Sequence, residues 1–179
     1  MYGRIRMIVL AAAAIAPLLQ SAASPARPAS AAGIPRLSRF PYLRWPASVV
    51  PRNPPVVQAK GHFRFWDGTS LQDVEGRTYL ATLVGRDGRR TFDEPLLRRK
   101  VEADLLRMGA TRLASGRVPA SLIDTINDAD KQALLPGLGE IRSDPVETWT
   151  IRGRNRQIWF HYTGNPAQAS IAVVETRLD

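Results

Sequence analysis

Few residues in this chain could do chemistry. Among its 179 residues there are two histidines, His62 and His161, and no cysteine. The missing cysteines remove disulfides, thiolate nucleophiles and lipid attachment at an N-terminal cysteine. A metal site needs histidines, cysteines or carboxylates in a cluster, and His62 and His161 stand alone in sequence, so each reads as a surface or hydrogen-bonded residue. The run Asp124-Thr125-Ile126-Asn127-Asp128-Ala129-Asp130 has the acid spacing of a calcium loop. It lacks the glycine of the sharp turn and a glutamate at the twelfth position, so helix capping accounts for it better. No serine lies in a Gly-x-Ser-x-Gly or Ser-x-x-Lys setting, and Gly85 to Gly88 is not followed by the lysine of a phosphate loop. The sequence thus predicts no catalytic residue, no metal ligand and no cofactor. A hydrolase assembled only in the fold stays as an alternative, favoured if a deep pocket joins His62 or His161 to a carboxylate.

Binding is the stronger expectation. The formal net charge is +9, with 22 arginines against three lysines. Such a balance draws a protein to anionic partners, although arginine in place of lysine reads first as the codon usage of a GC-rich genome. Arg98, Arg99 and Lys100 have acids one helical turn away and read as an ion-paired helix surface. Arg86, Arg89 and Arg90, and Arg152, Arg154 and Arg156, sit in turns with fewer acids nearby, where they could reach an anion. Placing Arg152 opposite Gln157 pairs Trp149 with Phe160 and Ile151 with Ile158 on one apolar face. The other face then presents Trp159 and His161 beside Thr148, Thr150 and Gln157, a candidate recognition surface for sugar, peptide or lipid headgroup unless another segment covers it.

These residues must be positioned by a small α+β domain with a mainly antiparallel sheet and two to three helices packed on one face. Residues 24–55 hold eight of the 14 prolines and read as an extended leader or arm; the cluster Phe40-Pro41-Tyr42-Leu43-Arg44-Trp45 favours an arm laid on the domain. The domain proper is expected over 56–179. His62 to Phe65 alternates as a strand, Asp67-Gly68 is a turn signal, and Arg77 to Val84 is rich in β-formers. Asp93 caps a helix whose apolar residues at 97, 101, 105 and 108 form one face, until Gly109 stops it. A strand over Ala110 to Ser115 follows, then an interrupted helical stretch from Pro119 to Leu135. Three strands close the chain, at Glu147 to Arg152, Gln157 to Thr163 and Ser170 to Arg177.

The chain opens with Arg4 and Arg6, an apolar run from Met7 to Leu19, and small residues at Ser21 and Ala23. This is the pattern of a secretory signal peptide over residues 1–23, cut after Ala23, with Ala26 and Ala31 as alternative ends. The apolar run is too short for a retained membrane span, so none is expected after cleavage, and the mature protein is expected in the periplasm or outside the cell. Arg39-Phe40-Pro41, Glu75-Gly76-Arg77-Thr78, the helix ending at Gly109 and the strand Ile171-Ala172-Val173-Val174-Glu175 resemble an uncharacterised domain of Gram-negative envelope proteins. That domain often precedes an OmpA-like peptidoglycan-binding domain, and the resemblance covers most of residues 34–176. Only Thr176 to Asp179 follow Glu175, so no OmpA-like domain is expected here and wall binding is not carried over. The resemblance implies an envelope location. The function expected is a non-enzymatic binding or scaffolding domain whose partner is an envelope protein, anionic lipid or polysaccharide, with no specific nucleic acid. A charge-driven polyanion or membrane-surface binder is the nearest alternative.

Overall fold

The computed structural model describes residues 37–88 and 92–178. The expected signal peptide and its cleavage after Ala23, residues 24–36 of the proline-rich stretch, and Arg89 and Arg90 lie outside them. Among the described residues seven strands are formed: β1 (Val49–Pro51), β2 (Val56–Trp66), β3 (Leu71–Gly85), β4 (Thr111–Gly116), β5 (Val146–Arg152), β6 (Arg156–Asn165) and β7 (Gln168–Arg177). Between them lie α1 (Glu94–Arg107), α2 (Ala120–Ile123) and α3 (Asp128–Leu138). The sheet runs β1-β3-β7-β6-β5-β4, and β2 pairs with the same edge of β3 as β1 does. Every pairing is antiparallel.

Strand alternation sorts the side chains onto two faces, and both are apolar. One row, Tyr79, Val173, Phe160 and Trp149, runs across four strands on the first face. Against it pack Leu97, Val101 and Leu105 of α1, together with Tyr42 and Leu43 of the arm. Burying each of these aliphatic side chains contributes roughly 1.5–3 kcal/mol. The next row, Leu80, Ala172, His161 and Thr148, lies on the second face, where α2 and α3 bring Ile123, Leu134 and Leu138. The fold is therefore α+β on a mainly antiparallel sheet, with α2 and α3 sharing one face and α1 on the other. A sheet buried on both sides explains why β7 reads as a nearly continuous apolar run.

Local chemistry sets the ends of the elements. Asp93 Oδ1 accepts the Leu96 amide at 2.9 Å, and Pro95 in the first turn loses no helical bond. Asn127 Oδ1 caps α3 by accepting the Asp130 amide at 2.8 Å. At the β2–β3 tip, Asp67 accepts the amides of Ser70 and Thr69 at 2.8 and 2.9 Å; these bonds hold its carboxylate well below the usual range.

At Gly76, β3 passes over β7 so closely that a Cβ would lie 2.2 Å from the Glu175 carbonyl oxygen. Beyond this point the β2–β3 hairpin leaves β7 and crosses the second face. Phe63 reaches the His161 ring at 5.1 Å, Phe65 reaches Trp159 at 5.4 Å, and Gly68 rests against Leu113 and Ala114 of β4.

Candidate functional site

Arg152 stands opposite Gln157, Trp149 opposite Phe160 and Ile151 opposite Ile158, the register read from the sequence. The face opposite these apolar pairs is not open. Trp159 is partly buried against Phe65, and His161 is only 3% exposed beneath Phe63, so the expected recognition surface at these two residues is roofed by the hairpin. That corrects the expectation: Phe63 and Phe65 need an apolar floor, and the second face supplies it. Neither ring nitrogen of His161 has a hydrogen-bond partner among the described residues, nor has Thr148 Oγ1 opposite it. Burial pushes the imidazole down to about 4, and the Leu138 carbonyl, outside hydrogen-bond geometry, works weakly the other way.

The arginine groups also separate. Arg86 lies where β3 ends and β7 begins; its Nε donates to the Ala47 carbonyl at 2.8 Å and so fastens the arm. Arg152, Arg154 and Arg156 lie at the opposite end of the sheet, where β7 finishes. Arg152 is exposed, while Arg154 and Arg156 line a groove of about 1210 Å³ with Ala59, Lys60, Arg77, Glu175 and Arg177. Lys60, Arg77 and Arg177 were not singled out by sequence. Arg77 begins the β3–β7 pairing, Arg177 lies at the end of the β6–β7 pairing, and Lys60 sits in the irregular stretch of β2 between Gln58 and Gly61, so only the β2–β3, β3–β7 and β6–β7 registers together bring them into one groove. The one available signal was a basic residue at the end of a strand read from the sequence, Arg77 opening Arg77 to Val84 and Arg177 closing Ser170 to Arg177.

Glu175 is the only carboxylate among the described residues of that groove, and it is already engaged. Arg156 Nη1 donates to Glu175 Oε1 at 2.9 Å, and Tyr42 Oη donates to Glu175 Oε2 at 2.7 Å. Burial first, and then this carboxylate, push the Tyr42 phenol up to about 12, so it stays a donor. Arg77 faces Glu175 across the strand pair, yet its guanidinium lies over the Phe40 ring at 4.3 Å. Arg156 and Arg177 are directly opposite each other. Like charges so placed cost stability, and a bound anion would offset that cost.

A second cleft, of about 700 Å³, meets the groove at Lys60, Gly76 and Arg177. Gln58, His62, Glu75, Asp130 and Thr176 line it, above Val56, Leu80 and Leu134. His62 Nδ1 lies 3.9 Å from Asp73, and Arg64 holds Asp130 at 2.9 Å. His62 thus shares a pocket with carboxylates, as the hydrolase alternative asks, but among the described residues the one hydroxyl in the lining is Thr176, whose Oγ1 donates to the Arg177 carbonyl at 3.4 Å and not to His62. No group of three histidines, cysteines or carboxylates among the described residues is placed to hold a metal ion.

The remaining polar cluster ties α1 to the sheet. Arg98 bonds Glu94 at 2.8 Å and Glu147 at 3.0 Å, Tyr162 Oη donates to Glu94 at 3.0 Å, and Trp149 Nε1 donates to Glu147 at 3.2 Å. Burial and Glu94 raise the Tyr162 phenol far above its usual value. The groups satisfy one another, so this is a structural clamp.

No helix among the described residues is long and apolar enough to cross a membrane. Compared with models of known protein families, with curated proteins and with solved structures, the chain matches none.

Proposed function

We propose that this chain is a non-enzymatic binding domain of the bacterial cell envelope, exported by the signal peptide read at residues 1–23, that holds an anionic envelope component at the end of its sheet. The observation that carries the reading is the convergence of Lys60, Arg77, Arg154, Arg156 and Arg177 around one carboxylate already committed to Tyr42 and Arg156. Arginine forks suit phosphate and carboxylate alike, and several in one groove raise the local concentration of anions. The Gram-negative location comes from the resemblance at Arg39-Phe40-Pro41, Glu75-Gly76-Arg77-Thr78 and Ile171 to Glu175.

Retention on vesicles containing an anionic phospholipid tests the site. Wild type should be retained at low salt and released as salt rises toward physiological strength, where screening shortens to about 8 Å. The Lys60→Ala/Arg154→Ala/Arg177→Ala variant should lose retention, and Arg86→Ala/Arg152→Ala should keep most of it. Equal retention of the two variants would remove the groove as the binding site.

A further inference from the structure

The groove changes character along its length. Lys60 and Arg177 line both clefts and stand where they meet around the end of β7. Beyond them on one side lie further cations. Toward α3 on the other lie Glu75 and Asp130 with Gln58, His62 and Thr176, over a floor that includes Leu80 and Leu134. Polyphosphate or nucleic acid running through both parts would be repelled by the carboxylates. An acyl chain would touch Val56, Leu80, Ala133 and Leu134 but would strip the water from five polar walls, two of them carboxylates, and offer them no hydrogen bond in return. A neutral sugar would leave Lys60 and Arg177 without a partner. Carboxylates and an amide accept and donate to vicinal hydroxyls, and the Arg64–Asp130 contact at 2.9 Å fixes one acceptor in advance.

We infer that the junction takes a phosphorylated saccharide, with its phosphate between Lys60 and Arg177 and its hydroxyls among Gln58, His62, Glu75 and Asp130. This rests on the anion-binding reading above and adds the ligand class. The phosphorylated sugar can belong to a lipid headgroup or to a soluble glycan, because the cleft reads only the phosphate and the ring beside it.

Calorimetric titration with inorganic phosphate, glucose and glucose 6-phosphate tests it on the mature protein. Glucose 6-phosphate should bind at least about tenfold tighter than phosphate, the worth of one hydrogen bond to a charged group, and glucose alone should not bind measurably. Glu75→Gln should weaken glucose 6-phosphate by about tenfold and, by removing a repulsive charge, tighten phosphate by about twofold. Those opposite signs cannot come from misfolding. Lys60→Ala/Arg177→Ala should lose both ligands. Equal affinities for phosphate and glucose 6-phosphate, or a Glu75→Gln change of the same sign for both, would overturn the saccharide assignment while leaving the anion site standing. Failure of phosphate and vesicles together would overturn both.

Discussion

At the scale of single residues, buried polar groups carry the sharpest consequences. Glu94 and Glu147 are 9% and 6% exposed and share Arg98 between them. Arg98→Met strands two buried carboxylates and should cost about 3–5 kcal/mol in urea unfolding, partly restored by adding Glu94→Gln and Glu147→Gln. His161 acts through protons. Its folded value of about 4 lies below the usual 6.5, so between those values the unfolded chain binds a proton that the folded chain refuses. Stability should therefore be fully present above pH 6.5 and fall as the pH drops toward 4. Comparing urea midpoints at pH 7.5 and 4.5, His161→Leu should lose about 2–3 kcal/mol less than wild type does. An equal loss would mean that the imidazole is not held neutral. The lone histidine was visible in the sequence; its burial was not, because what covers it comes from Phe63, almost a hundred residues earlier.

At the scale of elements, local signals were legible wherever the chain makes its own boundary. The Asp93 cap, the stop at Gly109 and the Arg152–Gln157 register each follow from a few neighbouring residues and appear in the structure. The path of the β2–β3 hairpin does not follow from local signals. It depends on Gly76, where β3 crosses β7, and on a face that only the assembled sheet provides. Gly76→Ala should cost several kcal/mol in urea unfolding, because the nearest obstacle is backbone and cannot swing aside. A neutral substitution would mean that β3 and β7 are farther apart there. The second apolar face was missed for a related reason. Trp159, His161 and the β5 threonines Thr148 and Thr150 read as a solvent-facing row, and only contact with residues such as Phe63, Phe65 and Leu138 makes much of that row interior.

For the whole molecule, net charge pointed to an anionic partner without saying where it binds. Arg154 and Arg156 were legible as turn arginines, while Lys60, Arg77 and Arg177 became part of the site only through the pairing of β2, β3, β6 and β7. On the proposed function, such an end of the sheet trades stability for binding: Arg156 and Arg177 face each other beside Arg154, with Glu175 neutralising only part of the charge. Melting of the Arg177→Gln variant at low salt, with and without inorganic phosphate, tests this most directly. Relief of a cross-strand like-charge contact of about 0.2–1 kcal/mol should raise its Tm by about 1–4 °C, and added phosphate should stabilise wild type but not the variant. A variant that melts lower than wild type and responds equally to phosphate would show that Arg177 supports the fold, and the basic groove would no longer be a binding site.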